Sequence, residues 1–195
     1  MDETLVFIDE GFLSQLSKHF GDGNYIRIDY LKFAKSLAKK HNLFCKHLFY
    51  YTAPPFQSEP LTEDQIRRKQ GYDKFISSFS KNKEVTIREG RCQRVMNEKG
   101  NFEYHQKGVD SLMVSDMVSV PIKFPGIKKI MLITSDTDFC PIIADINKLG
   151  VQVILYTYYE KKRSSKFSVS HHLIDCCNDI VYITKNDFEE AKNNK

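Results

Sequence analysis

Short apolar runs alternate with segments of helical spacing along most of this chain. The first run, "TLVFI" at 4–8, stops abruptly at Asp9, which is typical of a buried parallel strand. The segment 28–42 instead repeats its apolar residues every three or four positions, which predicts a helix. The same reasoning predicts strands at 4–8, 43–55, within 84–106, and at 127–134, 151–159 and 180–184. The strand within 84–106 is predicted either alone or extended by a hairpin. It predicts helices at 28–42, 61–82, 107–122 and 138–150, and a loop with a short helix at 165–179.

This alternation predicts an α/β fold that is Rossmann-like, with a central, mostly parallel sheet and helices on both faces. The 195 residues suit a single domain, which we place at 1–184, followed by a polar tail at 185–195. Apolar residues make up 41% of the chain, which is enough for a sizeable core. No apolar run approaches the ~18 residues of a membrane span.

Cysteine usage and the first residues of the chain predict a cytoplasmic location. The five cysteines are odd in number and form no CxxC pair, which argues against a disulfide framework and against a structural zinc site. The sequence "MDETLVFIDE" carries acids where a signal peptide carries basic residues, so no export signal is expected.

The net charge of +4 is mild, but the basic residues are clustered. Arg67, Arg68 and Lys69 are consecutive, and a second group follows within 88–107. From that group we select as candidate phosphate contacts Arg88, Arg91, Arg94 and Lys107. A localised basic stretch suits a polyanion such as nucleic acid, although the charge alone slightly favours a solvated charged face.

Acidic residues fall at or near predicted strand ends. Asp9 directly follows the first strand, and Asp136 and Asp138 follow the strand at 127–134. Asp110 lies in the first turn of the helix after the basic strand. Functional residues of such sheets gather beyond the carboxyl ends of the strands. These four carboxylates would therefore converge if the strands at 4–8 and 127–134 are neighbours.

Clustered carboxylates need a cation to stay ionised together, and hard oxygen ligands select Mg²⁺ or Mn²⁺. Such ions are a standard means of phosphodiester hydrolysis. The competing interpretation is helix capping, which any one of these acids performs well. Asp116 interrupts an apolar helix and is a candidate for a further metal ligand or a buried hydrogen bond.

Three ordered segments resemble the NYN domain family of PIN-like nucleases. They are "LVFIDEGFL", "KGVDSLMVSDMV" and "ITSDTDFCPIIADINKLGVQVILY", and the resemblance runs from about residue 4 to 184. It implies a PIN-like three-layer sandwich and an endoribonuclease that depends on Mg²⁺ or Mn²⁺. The family's acids match Asp9, Asp110, Asp136 and Asp138, its frequent helix acid matches Asp116, and its lysine matches Lys107.

Phe12 stands where the family often has an asparagine. This departure keeps open a second hypothesis, in which the domain binds RNA or protein and has weak or no catalytic activity. A Toprim-type phosphotransfer domain fits "DEGF" and "SDTDF" superficially, but the two are far apart for that fold and Asp110 has no role in it. RNA is therefore the expected partner, and an edge strand or the apolar 107–122 helix offers a surface for a homodimer.

Overall fold

The computed structural model describes residues 1–161, 165, 167 and 170–193. Its strands are β1 (Asp2–Asp9), β2 (Leu43–Thr52), β3 (Val85–Glu89), β4 (Arg91–Met96), β5 (Phe102–Lys107), β6 (Lys129–Ile133), β7 (Gln152–Thr157) and β8 (Asp179–Tyr182). Its helices are α1 (Glu10–Phe20), α2 (Tyr30–Lys40), α3 (Glu63–Phe79), α4 (Val109–Lys123), α5 (Cys140–Lys148), α6 (His171–Cys176) and α7 (Lys185–Glu190). A 3-10 turn covers Thr137–Phe139.

A six-stranded sheet in the order β3-β2-β1-β6-β7-β8 forms the middle layer, and all its strand pairs are parallel. The predicted fold class is therefore confirmed. Strands β1 and β6 are neighbours, with Ile8 opposite Ile133, so the two central strands end side by side.

Helices cover both faces because the apolar side chains of β1 alternate between them. Val6 and Ile8 pack into a core shared with α1, α2 and α7. Leu5 and Phe7 pack into a second core, shared with α4, α5 and α6. All four side chains are fully buried, as expected for a central strand of a parallel sheet.

The region 84–106 contains both a strand and a hairpin. Strand β3 joins the edge of the main sheet, and β4 and β5 then form a separate antiparallel hairpin. All side chains of β4 and β5 are exposed except that of Cys92, which is half-buried. The hairpin therefore projects from the domain as an arm.

Two helices lie where the sequence pattern predicted none. Helix α1 follows Asp9 directly, and α7 lies in the segment predicted as a polar tail. Phe188 of α7 is fully buried and packs against Phe20 and Phe33. Residues 194–195 of the predicted tail, residues 166, 168 and 169 of the predicted loop, and residues 162–164 just before that loop lie outside the described residues.

Other element ends shift slightly. Strand β2 ends at Thr52, before the two prolines, and α4 runs through Pro121 to Lys123. Pro121 has no N–H, so the carbonyl of Met117 loses its intrahelical donor, and the helix ends two residues after the proline. Among the described residues, no helix is both long and apolar enough to cross a membrane.

Candidate functional site at the carboxyl edge of the sheet

Asp9 lies where β1 ends and caps the N-terminus of α1. Its Oδ1 accepts the N–H of Phe12 at 3.3 Å. Its Oδ2 accepts the hydroxyl of Thr134 at 3.1 Å, and Thr134 immediately follows the neighbouring strand β6. The pairing of β1 with β6 thus fixes the position of this carboxylate.

Asp9 is unusually hard to ionise. Burial raises its pKa from the ordinary value of 3.8 to about 6, the negative charges of Asp110 and Glu10 add to this, and the two hydrogen bonds oppose it. A carboxylate with this environment gains strongly from any cation that approaches it.

Asp136 and Asp138 occupy the turn after β6. Asp136 caps the 3-10 turn, its Oδ1 accepting the N–H of Asp138 at 2.9 Å, and its own N–H donates to the Thr134 hydroxyl at 3.2 Å. The capping interpretation is therefore correct for Asp9 and Asp136. Capping engages Oδ1 of Asp136, and a carboxylate has further lone pairs for another partner.

Asp110 approaches the same place from α4. Gly108, with φ of 81°, precedes the helix and places Asp110 in its first turn. Asp110 is exposed as a residue, but partial desolvation of its carboxyl raises its pKa, and the negative charges of Asp136 and Asp138 raise the pKa further. All four predicted carboxylates therefore lie within electrostatic reach of at least one other member of the group.

The chemistry of this group fits a hard divalent cation, because all its donors are carboxylate oxygens that repel one another. The side chains are not arranged as a ready coordination shell. Within the described ranges, no three His, Cys, Asp or Glu side chains lie close enough together to hold a metal ion.

Asp116 has other partners. Its carboxylate accepts two hydrogen bonds from Arg88, at 2.9 Å from Nε and 2.8 Å from Nη2, and a third from the Tyr51 hydroxyl at 3.0 Å. Asp116 is 6% exposed. This ion pair joins two residues that were candidates for different roles, one for metal and one for RNA, and it favours a structural role for both.

A cleft of about 750 Å³ lies beside the carboxylates. Asp9, Glu10 and Asp136 line one side, and Tyr104 and Gln106 of the hairpin line another. The Gln106 side chain hydrogen-bonds to Glu10, which holds the base of the hairpin against α1. The hairpin therefore forms a wall of the candidate site.

The hairpin carries the three other predicted basic residues. Arg91 and Lys107 are directly opposite each other in the β4–β5 register, and both are exposed. Like charges in this position destabilise a hairpin unless an anion neutralises them. Arg94 lies over the rings of Phe56 and Phe102, 4.9 Å and 4.3 Å from their centroids, and this stacking fixes its position.

Phe12, the departure from the family pattern, is 5% exposed and belongs to the core on the α1 face of the sheet. Only its backbone N–H acts at the site, on Asp9. No role was predicted from sequence for Thr134 or Gln106. Thr134 directly precedes "SDTD" at a strand end, and this position could have indicated a role at the site. Gln106 reaches the site only because the hairpin folds back towards α1.

The chain belongs to the NYN domain family, whose model matches residues 4–184. The NYN domain is a PIN-like nuclease fold, so membership supports a nuclease-type function in general terms. It also sets aside the Toprim-type alternative.

A solved structure of similar fold is the crystal structure of a protein of unknown function from Vibrio parahaemolyticus. The TM-score is 0.58 at 16% identity, over 96% of this chain and 95% of that chain. At this identity the likeness shows the fold alone. A search of curated proteins found no significant match.

Proposed function

We propose that this domain is a metal-dependent endoribonuclease that hydrolyses phosphodiester bonds of RNA. The observation that carries the proposal is the convergence of carboxylates from three separate segments of an NYN chain at one edge of the sheet. The proposed metal ligands and catalytic residues are Asp9, Asp110, Asp136 and Asp138. When bound, Mg²⁺ or Mn²⁺ neutralises charge on the phosphate and makes a water molecule more acidic.

In this proposal the protein positions the carboxylates for the metal and attracts the phosphates of the RNA. Asp9 and Asp136 are held by backbone and Thr134 hydrogen bonds, while Asp110 and Asp138 are exposed and free to change rotamer towards a shared ion. Arg91, Arg94 and Lys107 on the hairpin are the proposed phosphate contacts. Arg88 and Asp116 are left out, because each already holds the other.

Cleavage of a labelled mixed-sequence single-stranded RNA, with Mn²⁺, with Mg²⁺ and with EDTA, tests the proposal. Asp136→Asn is the informative variant, because asparagine keeps the cap of the 3-10 turn and removes the charge. We expect metal-dependent cutting by the wild type and a loss of at least about 100-fold in the variant, as for other groups that stabilise transition-state charge.

The matched control is Asp2→Asn. Asp2 begins the strand that Asp9 ends, so it lies at the opposite edge of the sheet, and it is exposed. The control should cut as fast as the wild type. Equal cutting by Asp136→Asn and the wild type, or no cutting by folded protein in either metal, would overturn the nuclease proposal.

The second candidate function is an NYN-fold module that binds RNA or protein without cutting it. Two observations favour it: Phe12 in place of the family's asparagine, and the absence among described residues of three acids already placed for a metal. Such a module should bind RNA equally well in EDTA and in Mn²⁺, with binding that weakens as salt rises. A homodimer and a cytoplasmic location stay predictions from the sequence.

A further inference from the structure

A second cavity, of about 830 Å³, lies beside the cleft of the candidate site. Its walls come from α1, the segment that leads into α2, the end of β2, and α3. Glu10, Ser14 and Tyr25 line both this cavity and the cleft. The two spaces are therefore adjacent, with Glu10 between them.

Aromatic rings make up much of the lining of this second cavity, which we call the aromatic cavity. Tyr30 lies 4.7 Å from Tyr50 and 5.7 Å from Phe75, measured between ring centroids. Tyr50 is 2% exposed, so the back of this ring cluster is fixed in the core. Tyr25 and Tyr72 line the cavity as well. Such a surface suits a flat, aromatic ligand.

Polar groups lie among these rings. The Glu10 carboxylate accepts hydrogen bonds from Ser14 and Gln106 and retains lone pairs for another donor. The hydroxyls of Tyr30 and Tyr50 hydrogen-bond to each other. An aromatic cavity with a carboxylate acceptor fits a nucleobase, whose ring stacks and whose N–H groups donate.

Helix α3 borders this space without filling it, and its sequence lowers its own stability. It begins with a capping box at Thr62 and Gln65, yet none of its residues is buried. Gly71 lies in its middle and lines the cavity, and a Cβ built at Gly71 would meet nothing within 4 Å. A glycine inside a helix is destabilising relative to alanine, and here no packing contact requires it. A side chain at this position would meet open space beside the cavity rather than packed neighbours.

Two guanidinium groups lie at the rim of the cavity. Arg27 and Arg68 both line it and both are exposed, and Arg68, which pairs with Asp64 of the same helix, keeps 63% of its side chain accessible. Guanidinium groups at the rim suit the phosphates on either side of an inserted base.

We propose that the aromatic cavity takes one unstacked nucleobase of an RNA strand whose backbone runs through the neighbouring cleft. This inference rests on the proposed function for the identity of the strand. It adds a binding site for a base, separate from the carboxylates, and makes α3 part of the substrate-binding surface.

Filling the cavity tests the proposal. Gly71→Leu adds a side chain that points into open space, and Ser78→Leu, on the same helix at an exposed position outside the lining, is the matched control. Binding of a fluorescein-labelled single-stranded RNA is measured by anisotropy in EDTA at fixed salt. Base–aromatic stacking predicts a loss of affinity of about 5- to 150-fold for Gly71→Leu and no change for Ser78→Leu.

A second measurement uses only the wild-type protein and so does not depend on how a variant folds. An abasic site is moved one position at a time along an eight-nucleotide RNA. One position should lose affinity by the same about 5- to 150-fold, while the others lose little. Binding of nucleoside 5′-monophosphates, weakened by Gly71→Leu, would show that the cavity also accepts a free nucleotide.

The failures are distinguishable. RNA that is bound and cut, with unchanged affinity in Gly71→Leu and no sensitive abasic position, overturns the base site and leaves the nuclease proposal standing. A sensitive abasic position without any cutting supports the base site and overturns the nuclease proposal. No RNA binding by the folded wild type overturns both.

Discussion

Thr134 is the side chain on which two carboxylates of the candidate site depend. It is fully buried, its hydroxyl donates to Asp9, and the same oxygen accepts the N–H of Asp136. A single hydroxyl therefore connects the end of β1 with the turn after β6. Removing it leaves a donor and an acceptor without their partner, which is the costly way to lose a hydrogen bond.

Thr134→Val should lower the free energy of unfolding by about 1–3 kcal/mol, because valine keeps the shape and removes both bonds. Urea denaturation at pH 7.5 measures this. Thr157→Val is the matched control: Thr157 is also fully buried, and its hydroxyl has no hydrogen-bond partner in the described structure. A loss in Thr157→Val as large as that in Thr134→Val would contradict the role given to Thr134.

Asp9 makes folding stability depend on pH. Its pKa is about 6 in the folded protein against an ordinary 3.8, so the folded state holds a proton that the unfolded state releases between these values. The free energy of unfolding therefore falls as pH rises from about 4 to about 6. Because one pKa unit corresponds to about 1.4 kcal/mol, the charged Asp9 lowers stability above pH 6 by about 3 kcal/mol.

Asp9→Asn should remove this part of the pH dependence and be more stable than the wild type at pH 7.5 in EDTA. Asparagine still caps α1, so the gain comes from the lost charge. Denaturation curves at pH 4.5 and 7.5 provide the measurement, with Asp2→Asn as the exposed control on the same strand. If Asp9→Asn kept the wild-type pH profile, the environment assigned to Asp9 would be wrong.

At the scale of elements, the Asp116 ion pair joins three of them. Tyr51 of β2, Arg88 of β3 and Asp116 of α4 meet in one hydrogen-bonded group. Asp116 is buried whereas 41% of the Arg88 side chain is accessible, so the pair lies at the margin of the core. It fixes α4, and with it Asp110, against the edge of the sheet.

Asp116→Ala should lower the free energy of unfolding by about 1–3 kcal/mol, since the buried Tyr51 hydroxyl loses its acceptor. In the double variant Asp116→Ala/Tyr51→Phe the unpaired hydroxyl is gone, so part of the loss should be recovered. Urea denaturation of the single variants and the double variant measures the coupling. Purely additive effects would mean that the Tyr51 hydroxyl and the Asp116 carboxylate do not stabilise each other.

The sequence predicted most elements because their patterns are local. Helix α1 was not predicted, although Phe12, Leu13, Leu16 and Phe20 have helical spacing. Gly11 weakens the helix signal in the first turn, and Asp9 was interpreted as a site residue although it is also the N-cap. Helix α7 was not predicted because a single aromatic residue, Phe188, is what buries that helix. One apolar residue has no periodicity, so only the tertiary contacts reveal it.

The proximity of Asp9, Asp110, Asp136 and Asp138 was predictable, because acids at or near the ends of parallel strands lie at one edge of the sheet. The pairing of Arg88 with Asp116 was not, because it depends on where β3 and α4 cross rather than on any spacing along the chain. The proximity of Gln106 to Glu10 likewise depends on how the hairpin folds back. Contacts between distant segments are the part that single-sequence patterns do not contain.

At the scale of the whole molecule, acidic and basic side chains lie on different elements around the same cleft. Carboxylates gather at the strand ends, and the hairpin that walls the cleft presents Arg91 and Lys107 side by side. Under the proposed function, the basic hairpin would attract the RNA strand, and a bound metal would offset the repulsion between its phosphates and the carboxylates.

Lys107→Gln should weaken RNA binding in EDTA and reduce the slope of log affinity against log salt by about 0.7, the value for one phosphate contact on a single strand. The hairpin itself should not suffer, because the variant removes the repulsion from Arg91. Lys39→Gln is the control, an exposed lysine at the end of α2 on the opposite edge of the sheet. Identical slopes in all three proteins would remove Lys107 from the RNA-binding surface.

The composition of the aromatic cavity has an optical consequence. The chain has no tryptophan and ten tyrosines. Four of those tyrosines, Tyr25, Tyr30, Tyr50 and Tyr72, line this one cavity. Four of the ten tyrosine fluorophores of the protein therefore line the space where we place a base, so a base that enters it should change the tyrosine emission of an unlabelled sample.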